Sequence, residues 1–100
     1  MRYVELKYRG KTYTNLREID DILLQEKFYW LIDSEIENAQ IELVNNTIIW
    51  NNGSYYSGDW EYGIFKDGKF YGNWKNGIWE SGFFGGKWNS GINLVEDIKN

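Results

Sequence analysis

Apolar and polar residues alternate from Arg2 to Tyr8, where Tyr3, Val4, Leu6 and Tyr8 supply the apolar surface, and this pattern predicts a strand. Arg9-Gly10 followed by Lys11-Thr12-Tyr13 predicts a hairpin return. Asn15 and Glu18 have capping-box spacing. Leu16, Ile19, Ile22, Leu23, Glu26 and Trp30 then recur at helical spacing, with Arg17, Glu18, Asp20, Asp21, Gln25 and Lys27 on the opposite face. One helix is expected, ending between Phe28 and Asp33, with the run Phe28-Tyr29-Trp30-Leu31-Ile32 as its buried end. Ser34 with Glu37 is expected to cap a further short turn. Ala39, Ile41 and Leu43 alternate with Gln40, Glu42 and Val44; Asn45-Asn46 predicts a turn, and Thr47-Ile48-Ile49-Trp50 a return strand.

Beyond residue 50 the pattern becomes a repeat of glycine, any residue, aromatic. It runs through Gly53/Tyr55, Gly58/Trp60, Gly63/Phe65, Gly68/Phe70, Gly72/Trp74, Gly77/Trp79, Gly82/Phe84 and Gly86/Trp88. A fourteen-residue unit is superimposed on it: the segment starting at Trp60 aligns with the one starting at Trp74, and Trp88 opens a third. Glycine and aromatic two positions apart point to the same face of a strand, so a ring from a neighbouring strand can lie over the glycine. Gly72, at a four-residue step, is expected to have a positive φ or to lie beneath such a ring.

Two geometries satisfy this unit. Asn52-Gly53, Asp67-Gly68 and Asn76-Gly77 are type I′ turn sequences, so the first is an up-and-down antiparallel β-meander. The second is a short three-sided β-solenoid with sides of five, five and four residues. The hairpin chemistry of the turns favours the meander. The expected fold is thus α+β, with N-terminal strands and one helix packed with a Gly/aromatic repeat meander.

Tyr56-Ser57-Gly58-Asp59-Trp60-Glu61-Tyr62-Gly63 and Asp67-Gly68-Lys69-Phe70-Tyr71-Gly72-Asn73-Trp74-Lys75-Asn76-Gly77 resemble the MORN repeat, in which an aromatic residue, x, Gly, x, Trp, two residues and Gly recur. The stretch 50–92 is also similar to the Trp/Phe-x-x-Gly-x arrays of uncharacterised proteins from tailed phages and some bacteria. The MORN resemblance implies a row of short antiparallel hairpins with roles in scaffolding, protein binding and lipid contact. The phage-like resemblance implies a virion component or a phage accessory protein.

One hundred residues fit one domain, divided by texture into a strand-helix-strand part (1–49), the repeat sheet (50–92) and a C-terminal tail (93–100). Cysteine and histidine are both absent, which removes disulfides, thiolate or imidazole metal sites and histidine acid-base chemistry. The net charge of −4 is a poor match to nucleic acid. No membrane-spanning run and no signal peptide is evident, so a cytoplasmic or virion location is expected. The carboxylates Asp59, Glu61, Asp67 and Glu80 occupy repeat positions that vary freely, Asp59 corresponding to Asn73 and Lys87 and Glu61 to Lys75 and Asn89, which marks a solvated face rather than a catalytic pair. No catalytic residue, metal site or cofactor is expected.

The repeat core is expected to take Tyr55, Trp60, Phe65, Phe70, Trp74, Trp79, Phe84 and Trp88, with the eight glycines as its structural positions. Tyr56, Tyr62, Tyr71 and Phe83 fall off that register and either pack on the helix or form an exposed interface. The function expected from these features is a non-catalytic structural or adaptor module that binds protein, whether another copy of itself or virion proteins. The alternatives are an inhibitor of a host protein, or an aromatic platform for cell-wall sugar or a choline-like ligand.

Overall fold

The computed structural model describes residues 1–95. β1 (Tyr3–Tyr8) and β2 (Lys11–Tyr13) form the expected hairpin, with Arg9 and Gly10 both at positive φ (51° and 78°), as a type I′ turn requires. Asn15 caps α1 (Leu16–Gln25): its side-chain oxygen accepts the Glu18 N–H at 3.0 Å. The helix does not continue into the aromatic run. Lys27 takes a φ of 68°, and the chain restarts as a separate single turn, α2 (Tyr29–Ile32), so the described residues hold two helices where one was expected.

The turn expected at Ser34 and Glu37 is also absent, because Glu35 already opens β3 (Glu35–Val44). Ser34 is instead buried, its hydroxyl donating to the Trp30 carbonyl at 2.6 Å and meeting the Tyr55 hydroxyl. β4 (Thr47–Ser57) returns antiparallel to β3 through Asn45 and Asn46, both at positive φ (49° and 60°), while β1 lies parallel on the far side of β3.

The repeat continues as β5 (Asp59–Trp60), β6 (Ile64–Phe65), β7 (Lys69–Phe70), β8 (Asn73–Trp74), β9 (Ile78–Trp79), β10 (Phe83–Phe84), β11 (Lys87–Trp88) and β12 (Ile92–Asn93). These strands do not pair with their sequence neighbours. β6 lies parallel to β4, β9 to β6 and β12 to β9 on one side; β7 to β4 and β10 to β7 on the second; β8 to β5 and β11 to β8 on the third. The antiparallel meander, and with it the row of hairpins implied by the MORN resemblance, is overturned. The chain is a mostly parallel, three-sided β-solenoid of about three turns. Ile49 pairs with Ile64, fifteen residues on, and Ile64 with Ile78, fourteen on. Backbone bonds keep that interval, as from the Lys75 N–H to the Trp60 carbonyl (2.9 Å) and from the Ile78 N–H to the Gly63 carbonyl (2.8 Å).

The physical reason lies in the Asx-Gly pairs. A type I′ turn needs positive φ at both central residues, yet at Asn52-Gly53, Asp67-Gly68 and Asn76-Gly77 only the glycine is positive. The Asn or Asp side chain instead accepts the N–H of its own following glycine at 2.8 Å. The result is a corner that turns the chain onto the next side rather than back along itself.

At the corners the glycines stack in three columns, Gly53–Gly68–Gly82, Gly58–Gly72–Gly86 and Gly63–Gly77–Gly91, the later members of each lying under the glycine backbone of the preceding coil. Gly72 has no positive φ. A Cβ there would lie 2.6 Å from the Gly58 carbonyl oxygen and 3.1 Å from the ring of Tyr55, so it is close approach that demands glycine. In the first coil the corresponding corner holds one residue more, between Tyr55 and Trp60, and Gly58 absorbs it at a φ of 111°.

Inside the coil the rings form three columns. Trp50, Phe65 and Trp79 stack at 5.7 and 4.4 Å; Tyr55, Phe70 and Phe84 at 4.9 and 5.5 Å; Trp60, Trp74 and Trp88 at 5.2 and 5.3 Å. Rings of different columns meet edge to face, the geometry that suits their quadrupoles. Six of the expected core residues, Tyr55, Trp60, Phe65, Phe70, Trp74 and Trp79, are wholly buried, and Phe84 and Trp88 partly so. Trp50, outside the expected core set, is also fully buried and starts the first column.

The N-terminal part closes the first coil. β3 covers two sides, pairing Ile41 with Trp50 and Ile36 with Tyr55, and α2 covers the third, where Trp30 lies edge-on to Trp60 at 5.1 Å. Of the tail expected at 93–100, Asn93 belongs to β12, and residues 96–100 lie outside the described residues.

Candidate interaction surfaces

Strand periodicity fixes which side chains leave the coil. On the second side the ring-bearing positions Tyr55, Phe70 and Phe84 point inward, so the residues flanking them point out. Tyr56 and Tyr71 follow the inward rings and sit one coil apart, their own rings stacked at 6.0 Å and 9°. The third coil has Gly85 at that position. The ring of Phe83, which precedes the inward Phe84, swings across to fill it: Phe83 and Tyr71 are 5.8 Å apart, and a Cβ on Gly85 would touch both rings at 3.0 Å. The three rings make one continuous ridge, exposed by 44%, 41% and 56%. Glu37 and Glu35 stand at its start, accepting from the Tyr56 and Ser57 hydroxyls at 3.4 and 3.2 Å.

Tyr62, the fourth off-register ring, goes elsewhere. It leans on Phe28 and Trp30, both at 6.3 Å, and its hydroxyl donates to the Asn46 carbonyl at 2.9 Å. Of the four rings expected either at the helix or in a patch, one takes the first option and three take the second.

Beside the ridge a groove of about 600 Å³ is lined by the Gly53, Gly68 and Gly82 column together with Glu37, Asn38, Asp67 and Phe83. Asp67 spends one oxygen on the Gly68 N–H. The carboxylates singled out in the sequence are dispersed: Asp59 accepts from Asn73 at 3.0 Å and pairs with Lys75 at 3.8 Å, while Glu61 and Asp67 are exposed. Among the described residues no three His, Cys, Asp or Glu side chains gather as metal ligands would, and no helix is long and apolar enough to cross a membrane.

Among the described residues the strongly perturbed groups are phenols. Burial raises that of Tyr55 well above its ordinary value, opposed by its contact with the Ser34 hydroxyl; the Tyr55 hydroxyl donates to the Asp59 carbonyl at 2.7 Å. Burial, aided by donation to Asp20 at 2.6 Å, pushes Tyr3 up to about 12. Both stay protonated at neutral pH; Tyr3 ties β1 to α1, and Tyr55 ties the N-terminal part to the repeat through Ser34 and Asp59.

Sequence reasoning missed one surface altogether. On the first side Trp50, Phe65 and Trp79 point inward, so Ile49, Ile64, Ile78 and Ile92 form an outward isoleucine row. The recurrence of Gly-Ile at Gly63-Ile64, Gly77-Ile78 and Gly91-Ile92 is its signal in the sequence. A ridge at the corner between the second and third sides lies opposite the first side, so the ridge and the isoleucine row face away from each other.

No protein family, curated protein or solved structure matches this chain. What stands is the coarser kinship of pattern: an aromatic and glycine-rich repeat built as a solenoid.

Proposed function

We propose that this protein is a non-catalytic structural or adaptor module that binds another protein through the Tyr56–Tyr71–Phe83 ridge. The observation that carries this reading is the construction of the ridge. Three exposed rings are held in line by a coil whose every turn is hydrogen-bonded to the next, so little conformational entropy is lost when a partner covers them. Aromatic side chains are the ones protein interfaces concentrate. The likeness of the repeat to phage arrays extends the reading to a virion component or an accessory protein that inhibits a host protein.

A photoreactive phenylalanine analogue at position 71, with the same analogue at exposed Thr12 as control, tests it in the cells that produce the protein. The reading expects a discrete protein adduct from position 71 and none from position 12. Equal labelling from both positions, or none from either, contradicts it.

The sugar or choline-like alternative has an observation of its own in the groove beside Phe83, whose lining combines that one exposed ring with Glu37, Asn38 and Asp67. The ridge itself supports it less, because Tyr56 and Tyr71 turn their faces to each other and leave mainly their edges outward. Saturable quenching of tyrosine and tryptophan fluorescence by choline or cell-wall fragments would move the assignment to the groove.

A further inference from the structure

Whatever the ridge binds, the opposite side of the coil carries an independent feature. Ile49, Ile64 and Ile78 are half-buried and Ile92 is 56% exposed, in a straight row across four parallel strand segments. At a strand spacing of about 4.8 Å the row is about 14 Å long. One step along the chain beyond the inward rings, Lys66 and Glu80 occupy the same outward column in adjacent coils, level with Ile64 and Ile78 respectively. Among the described residues neither makes a salt bridge.

We infer that the isoleucine row is a self-association face, on which a second copy of this chain packs antiparallel. The charges specify the arrangement. A two-fold axis parallel to the strands, midway between β6 and β9, lays Ile64 of one copy on Ile78 of the other and Ile49 on Ile92. The same rotation keeps each residue's position along the strand and exchanges the coils, so Lys66 of each copy stands opposite Glu80 of the other, twice per dimer. A two-fold axis along the solenoid would instead reverse the positions along the strand and carry Lys66 away from Glu80 of the partner, toward its glycine corner. A face that is apolar along its middle and self-complementary at its margin suits an isologous contact. The row is small for an interface, so the dimer is weak, with a dissociation constant on the order of 100 µM. It leaves both ridges free on opposite outer faces.

Charge reversal and mixing test this. Sedimentation equilibrium of the full chain, up to about 1 mM, is expected to show a reversible monomer-dimer equilibrium for the wild type. Lys66→Glu and Glu80→Lys should each weaken self-association by about tenfold or more, since each places two like-charged pairs across the axis. An equimolar mixture of the two variants should recover dimer with near wild-type affinity. In the mixed dimer the introduced carboxylate at position 66 of one copy meets the introduced ammonium at position 80 of the other, and the native Glu80 of the first copy meets the native Lys66 of the second. Recovery on mixing also excludes misfolding as the cause of the loss. A wild type that stays monomeric throughout overturns the inference. So do single variants that dimerise like the wild type, or a mixture that stays as monomeric as its components.

Discussion

Gly77→Ala is expected to cost about 3 to 5 kcal/mol, a large part of the roughly 5 to 15 kcal/mol that holds a domain of this size folded. Two effects coincide at this residue. Its φ of 124° is a conformation that L side chains rarely adopt, and a Cβ there would sit 2.5 Å from the Gly63 carbonyl oxygen and 3.1 Å from the indole nitrogen of Trp60. Neither neighbour has room to yield, since the first is backbone of the preceding coil and the second belongs to a fully buried ring. Gly10→Ala separates the two effects. Gly10 also has a positive φ (78°), but nothing lies within 4 Å of the added carbon, so only conformational strain of about 1 kcal/mol is expected. Urea melts of the two variants beside the wild type make the comparison. Equal losses would show that glycine is needed for the turn and not for coil stacking.

Trp74→Ala is the second large expectation, at about 3 to 5 kcal/mol. This indole is the middle of the tryptophan column, lying between Trp60 and Trp88 and meeting the edges of Phe65, Phe70 and Trp79. Removing it opens a cavity walled by rings that are fixed by their own stacks, so collapse recovers little. Trp88→Ala at the end of the same column should cost about 1 to 2 kcal/mol, because its ring is only partly buried and touches a neighbour on one face. Thermal and denaturant unfolding of both variants measures the difference. A penalty at Trp88 as large as that at Trp74 would contradict a core organised coil upon coil.

The N-terminal part was legible because its signals are local. Arg9-Gly10 and Asn45-Asn46 adopt positive φ in both members and make hairpins, and the Asn15 side chain caps its helix. The break at Lys27 was not legible. Phe28 and the Tyr29–Ile32 turn are drawn onto the third side of the first coil, where Trp30 meets Trp60, and that demand is tertiary.

In the repeat, the ring and glycine positions could be read, but the choice between meander and coil turned on evidence at two ranges. Asn-Gly and Asp-Gly point locally to a reversal. The fourteen-residue recurrence points the other way: Trp60, Trp74 and Trp88 are alike because they stack on one another, as are Gly63, Gly77 and Gly91. An up-and-down meander gives no reason for identity at every third strand. The longer period was the better guide, because it reports which residues share an environment, whereas an Asx-Gly pair reports only that the chain bends.

The interaction surfaces were legible in part for a similar reason. Register alone put Tyr56 and Tyr71 outside the core, and the parallel coil is what brings them into one exposed column. That Phe83 completes it depends on a ring reaching sideways over Gly85, which no periodicity encodes. The isoleucine row follows as soon as the strands are known to be parallel and in register, and has no meaning in an antiparallel sheet.

The coil itself is tested most directly by backbone contacts in solution. In a uniformly labelled sample, nuclear Overhauser effects between the amide of Lys75 and the backbone of Trp60, and between that of Ile78 and Gly63, are expected together with parallel-strand contacts from Trp60 to Trp74. A spectrum dominated instead by antiparallel contacts between successive strands, such as β6 with β7 across Asp67-Gly68, would contradict the solenoid.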